Sequence, residues 1–392
     1  MVARENERAG PALHGVVNPR PGRRSREAAA SSPLSLALKP AFAVLVLLSL
    51  VAAVFGGLLR AGVTGLGIAQ SPLIGQAAVS HAGLMLCAFL GTAIAIERAV
   101  AIKARWAFAA PLASGLSGAV MLAGHAHAAA WLGVFAAIVF LSVNIVVVSR
   151  QRAAHTALLL AGAMAWFIGQ VLAATGSVGM ATLSWWFAFP VLTIAAERLE
   201  MTRLMRRDPS ANASLLGIVI AFVGASAWTV VDPMRGGVLY GVALAAFAVW
   251  FGVFDIARRT ALTHGLSRYM AVCLLCGYAW LGLAGVAWAG TAVGCPGRDM
   301  ALHALGLGFI MSMIMGHAPV ILPAVARVKL LYGPWFYAPL TLLHASLALR
   351  LFGAIGDVQW RTIGAAINAM SLAVFALTVA GSALAWRRVS PG

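Results

Sequence analysis

Charge is scarce in this sequence. Only 10% of its 392 residues are charged and only 11 are acidic, where a soluble domain carries about 25% charged residues. That excludes a conventional solvated surface wrapped around one apolar core. Cysteine is scarce too: Cys87, Cys273, Cys276 and Cys295 are the whole set, too few for a disulfide framework. The lone C-x-x-C of Cys273 and Cys276 has no second pair to complete a zinc site, and no histidine follows it to mark covalent haem attachment. Walker A, G-x-S-x-G and H-E-x-x-H motifs are all missing, which removes the phosphate-loop, nucleophile-elbow and zincin chemistries.

What the chain has instead is apolar length. Hydrophobic residues make up 61% of it and the mean hydropathy is +0.91. Twelve apolar runs of membrane-spanning size are expected, at 40–60, 76–98, 107–124, 128–149, 156–175, 182–202, 213–231, 236–256, 268–290, 298–323, 335–354 and 362–386, since about 20 apolar residues cross a hydrocarbon core of roughly 30 Å. The fold class is therefore an all-α membrane protein of twelve transmembrane helices. With the N-terminus inside, only Arg60, Arg235, Arg298, Arg350 and Arg361 of the 28 Lys and Arg residues fall on the outer side. That bias satisfies the positive-inside rule and places both termini in the cytoplasm, with the protein in the plasma (inner) membrane. It also accounts for the net charge of +17 without a nucleic-acid partner; the partner expected is the lipid bilayer.

Three segments follow. Residues 1–38 are polar and rich in Arg, Pro, Gly and Ser, and read as a disordered cytoplasmic tail. Residues 39–388 form one integral membrane domain, and 389–392 a short cytoplasmic tail. No short apolar region with a cleavage site precedes the first span, so no removable signal is expected.

The second span reads FLGTAIAIER (89–98) and the sixth FPVLTIAAER (189–198), matching at Phe89/Phe189, Ile94/Ile194, Ala95/Ala195, Glu97/Glu197 and Arg98/Arg198. The tenth aligns as FIMSMIMGHA (309–318), with Phe309, Ile314 and then His317 where the others carry Glu. Like motifs four helices apart suggest three four-helix units about a pseudo-threefold axis.

Four histidines fall within spans: His81 in the second, His303 and His317 in the tenth, His344 in the eleventh. His14, His125, His127, His155 and His264 fall in the tail or loops and are expected to be solvated. Intramembrane ionisable residues are functional candidates by default, while the plainer alternative is a neutral imidazole tying helices together by hydrogen bonds. Relative to their Phe landmarks, His81 and His303 lie at depths within about 3 Å of each other. Counting about 100° per residue, their phases differ by roughly 160°. Two helices facing each other across a flat plate need such a difference, and a porphyrin held by one His from each side is such a plate. His81 and His303 are thus expected as axial ligands of haem b. His317 lies about 21 Å below His303, too far to share its metal.

Twelve helices with histidines near the outer ends of the second and tenth resemble the catalytic subunit of haem–copper oxidases and nitric oxide reductases, in which those two helices hold the low-spin haem. The pattern from His303 to Gly308, followed by Gly316 and His317, also resembles NnrS, a family of haem- and copper-containing membrane proteins linked to nitric oxide metabolism and nitrosative stress. The resemblance implies a haem at His81 and His303, a role in that metabolism or in electron or metal handling, and a small gas or solute ligand. There are departures. Spans six and seven contain no histidine, so the copper–iron centre of a terminal oxidase is not expected. The second span also lacks the several histidines of a typical NnrS member, which makes this chain a divergent relative.

Glu97, Glu197 and His317 occupy equivalent repeat positions near the inner ends, and His344 lies mid-span. Together they make a second candidate site for copper or iron. The alternative there is pairing of the carboxylates with Arg98, Arg198 or Arg327. Pro319 and Pro323 are expected to disrupt the tenth helix. Trp185 and Trp186 read as interfacial anchors, and Asp255 as a partner of Arg258 and Arg259. A different functional class remains open: a twelve-helix secondary transporter using intramembrane His and Glu for proton or substrate coupling. Transporters are usually built from two repeats, which a spacing of four helices fits less well than three.

Overall fold

A computed structural model describes residues 33–65, 71–177, 179–201 and 209–389. The tail expected to be disordered lies outside the described residues up to position 32, as do Arg203, Arg206 and Arg207. Among the described residues all regular structure is helical. The chain divides after Ala41; before that point only the opening of α1 is described, and everything below concerns Phe42 onward.

The long helices are α1 (Pro33–Arg60), α2 (Gly83–Ile102), α3 (Ala109–Leu122), α4 (Ala126–Arg150), α5 (Ala154–Ala174), α6 (Met180–Met201), α7 (Pro209–Val231), α8 (Pro233–Phe254), α9 (Gly265–Ala292), α10 (Arg298–Ala326), α11 (Pro334–Gly356) and α12 (Gln359–Val389). Eleven are long and apolar enough to cross a membrane, and the protein is an all-α, multi-pass membrane protein. The exception is α3, with 14 residues. It continues directly from a four-residue 3₁₀ turn, Arg105–Phe108, and the two together reach about 29 Å.

Helices dominate because in hydrocarbon each backbone N–H and C=O must find its partner within its own segment. Connections between them are short. Asp232 alone joins α7 to α8: its Oδ1 accepts the backbone N–H groups of Met234 (3.1 Å) and Arg235 (3.0 Å), and Pro233 at the first helical position has no N–H to satisfy. Close helix contact relies on small residues. A Cβ on Gly241 of α8 would stand 2.4 Å from the carbonyl oxygen of Gly285 in α9, and one on Gly285 would stand 2.5 Å from that of Gly241. With Ala245 and Ala289 four residues on, both helices carry the small-x-x-x-small pattern of membrane helix pairs.

Several expectations need correction. The helix containing Pro319 and Pro323 does not break there but runs on to Ala326; proline is tolerated in membrane helices whose neighbours satisfy the freed groups. Trp185 is buried at 4% exposure, so it fills the protein interior and is no interfacial anchor, and Trp186 donates its Nε1–H to Gln170 Oε1 at 3.1 Å. His155 is buried, because α5 begins at Ala154 and draws it into the packed bundle. His125, His127 and His264 are exposed, and His14 lies outside the described residues. Asp255 is buried and its Oδ1 accepts the backbone N–H of Ala257 at 2.7 Å, while Arg258 and Arg259 are exposed. No ion pair of Asp255 with either arginine forms among the described residues.

Candidate functional site

His81 lies between the short helix Pro72–Val79 and α2, and His303 lies in the second turn of α10. After each histidine the helix widens into a π-helical stretch, Gly83–Gly91 and Ala304–Met311. A uniform 100° per residue therefore does not apply across either segment, and the phase calculation from sequence lacks its basis. The two imidazoles nevertheless come together: their ring centres are 6.3 Å apart and their planes meet at 24°. Aromatic pairs occupy a range of about 4.5–7 Å. Two imidazoles sharing one metal fall in the same range, because bonds of about 2.0–2.1 Å put the nitrogens about 4 Å apart and the ring centres slightly over 6 Å apart.

The tautomers follow from the partners. His81 Nδ1 lies 2.8 Å from the carbonyl oxygen of Ala53 in α1. A carbonyl only accepts, so Nδ1 carries the proton and Nε2 the lone pair. His303 Nδ1 lies 3.0 Å from the Asp299 carbonyl oxygen and 3.1 Å from Asp299 Oδ1, which leaves its Nε2 as the lone-pair nitrogen too. Arg350 of α11 donates to that Nε2 at 3.1 Å. The guanidinium also grips Asp299, from Nε to Oδ2 at 3.0 Å and from its terminal nitrogen to Oδ1 at 2.8 Å. Arg350, counted from sequence as an outer-loop cation, is only 7% exposed.

Both rings open onto a cavity with about 910 Å³ of empty space, part of it open to the surroundings, between α1, α2, α6, α10, α11 and α12. Its wall is mainly apolar, with Met85, Phe89, Phe187, Ile310 and Leu372 prominent, and its polar side chains are His81, His303, Arg350 and Asn368. Gly57 of α1 lies against His81: a Cβ there would stand 2.8 Å from the imidazole Cε1. The apolar wall and the two facing imidazoles are features a haem would need, while the Arg350 guanidinium stands on the Nε2 of His303.

At the arginine-rich ends of the helices, α2, α6 and α10 meet again. One terminal nitrogen of Arg98 donates to Glu197 Oε1 at 3.0 Å and to Glu97 Oε1 at 3.3 Å. Arg198 lies 3.1 Å from His317 Nε2, whose Nδ1 donates to the Met313 carbonyl at 2.7 Å. The register is the repeat register: Arg98 of α2 reaches Glu197 of α6, and Arg198 of α6 reaches His317 of α10. Ala318 stands where the third arginine would be, so the ring is open at that link.

At the second candidate site these contacts supply the alternative pairing with arginine. Arg98 bonds one oxygen of Glu97 and one of Glu197, and Arg198 lies against the Nε2 of His317. Among the described residues no group of three or more His, Cys, Asp or Glu side chains is placed to hold a metal ion. His344 is elsewhere. Its Nδ1 accepts the indole N–H of Trp280 at 2.9 Å, so the proton sits on Nε2, which is buried without a partner, and the ring has no lone pair left for a metal.

Sequence reasoning passed over Asp299 and Arg350. The signal available was an aspartate one turn before His303, and an arginine set inside the apolar run HASLALRLFGAIG (344–356). No curated protein and no solved structure matches the chain. Residues 39–384 match the family model of DUF8744, a domain of unknown function, and the chain belongs to that family.

Proposed function

We propose that this protein is a b-type haem protein of the plasma (inner) membrane, with its arginine-rich helix ends and both termini in the cytoplasm, and His81 and His303 as axial ligands. The observation that carries the reading is the pair of imidazoles 6.3 Å apart, each with Nδ1 tied to a carbonyl; iron at Nε2 of His303 would displace the Arg350 guanidinium that now donates to it. Anchoring the outer nitrogen in this way is how proteins orient metal-ligating histidines. Arg350 presents a cation at the same cavity, a partner for the carboxylates a b-type haem carries. The apolar wall excludes water and lowers the local dielectric.

A haem held by His81 and His303 would supply one-electron transfer. Such a site suits electron handling or the nitric oxide and nitrosative-stress metabolism that the NnrS resemblance implies. The test is a dithionite-reduced minus oxidised absorption spectrum of the purified protein, expressed with ample haem, beside His81→Ala and His303→Ala. Sharp b-type α and Soret bands in the wild type, lost from both variants while membrane insertion persists, are expected. A featureless wild-type spectrum overturns the reading. The secondary-transporter alternative would then lead, favoured by the two carboxylates gathered on Arg98.

A further inference from the structure

The cavity beside His81 and His303 has a polar end and an apolar body. Its wall runs from His81 to Leu90 along α2 and from Leu302 to Met311 along α10, about two turns of each helix. His81, His303 and Arg350 stand at the end away from the arginine-rich helix ends; elsewhere the polar member of the wall is Asn368, which Ser346 engages at 2.6 Å. His81 uses Nδ1 on the Ala53 carbonyl, and Arg350 uses Nε and Nη2 on Asp299 and His303. Among the described residues no hydrogen bond reaches His81 Nε2 or Arg350 Nη1. The first is an acceptor and the second a donor. We propose that in the haem-free protein this cavity binds an uncharged lipophile with a hydroxyl head, whose O–H donates to His81 Nε2 and whose oxygen accepts from Arg350. Arg350 stays where it stands, on His303, so this binding does not rest on the haem reading.

Charge decides against an anionic head. The Arg350 side chain is 8% exposed, and its charge is already matched by the Asp299 carboxylate at 2.8 and 3.0 Å. Arg60 bonds the Ala78 carbonyl at 3.4 Å and is not part of the wall. A carboxylate or phosphate would therefore bring an unmatched charge into an apolar site, at a desolvation cost. A hydroxyl brings one donor and one acceptor, the complement of what the wall offers. Lipid tails are as apolar as the cavity wall, so a tail gains little by leaving the bilayer and the head selects the ligand. Long-chain alcohols and alkylphenols share that head.

The experiment uses full-length protein expressed under haem limitation and purified in detergent. It is photolabelled with a long-chain alcohol and an alkylphenol, each carrying a diazirine in its chain, beside the methyl ether of each and an ionised fatty acid of the same length, and the labelled peptides are mapped. Saturable labelling of the α2 and α10 walls by a hydroxyl probe is expected, and the tighter of the two names the source. Half-saturation should be about fivefold weaker for its methyl ether, which lacks the O–H, the worth of one hydrogen bond. The ionised fatty acid should bind more weakly than either hydroxyl probe. His81→Phe should erase the preference for hydroxyl over ether. The ether comparison needs no variant, so a His81→Phe that fails to fold leaves the test intact. Equal binding of hydroxyl and ether probes, tighter binding of the fatty acid, or unsaturable label spread over exposed α8 positions such as Val242 and Val249 overturns the proposal.

Discussion

Removing Arg98 should cost the protein measurable stability. Its terminal nitrogen bonds Glu197 at 3.0 Å and Glu97 at 3.3 Å, with side-chain exposures of 12% for the arginine and 26% and 29% for the two glutamates. Arg98→Gln keeps some length and polarity but leaves two carboxylates facing each other without their shared cation. Breaking a buried pair by removing one partner typically costs about 3–5 kcal/mol. Partial exposure and the partners a membrane-inserted unfolded chain can find favour the lower end, about 3 kcal/mol. At roughly 2–4 °C per kcal/mol, the unfolding midpoint should fall by about 6–12 °C. The assay is thermal unfolding in detergent followed with a thiol-reactive fluorophore, which reports exposure of the buried Cys87 and Cys273. The triple variant Arg98→Gln, Glu97→Gln, Glu197→Gln removes the whole network and should recover most of the loss, since uncompensated charge is what destabilises. If Arg98→Gln unfolds with the wild type, or the triple variant is no more stable than the single one, the reasoning fails.

Other outcomes follow from the same contacts. Gly241→Val should separate α8 from α9, because its Cβ would overlap the Gly285 carbonyl; a loss of folded yield or a midpoint several degrees lower is expected, and wild-type stability would refute the close crossing. Gly57→Leu should prevent haem loading without removing a ligand, by driving side-chain carbons into His81; an undiminished Soret band would show that α1 does not bound the site. Cys295 is the exposed thiol of the four cysteines and lies between α9 and α10, at the ends opposite the arginine-rich ones. A membrane-impermeant maleimide should label it in intact cells, with labelling lost in Cys295→Ser. Labelling only after permeabilisation would invert the proposed orientation.

The linear sequence determined the architecture, because the relevant signals are local. Eleven helices read directly as apolar length, and α3 read the same way as the run 107–124, although its α-helix has only 14 residues. The pairing of His81 with His303 was legible as two imidazoles of similar depth on helices two repeat units, eight helices, apart, although the widened turns at Gly83–Gly91 and Ala304–Met311 deprived the angular argument of its footing. The same repeat placed Glu97, Glu197 and His317 together.

Only the tertiary structure decided what those groups do to one another. Whether a carboxylate binds a metal or an arginine depends on side-chain directions a fraction of a turn apart, and here Arg98 reaches Glu197 while Arg198 reaches His317. Trp280 withdrew His344 by using its lone pair. Arg350 and Asp299 are 51 residues apart, and neither pattern nor composition brings an arginine from α11 onto an aspartate in α10. Apolar length is a property of consecutive residues, so sequence carries it; ion pairing between helices is a property of packing, so only the folded bundle reveals it.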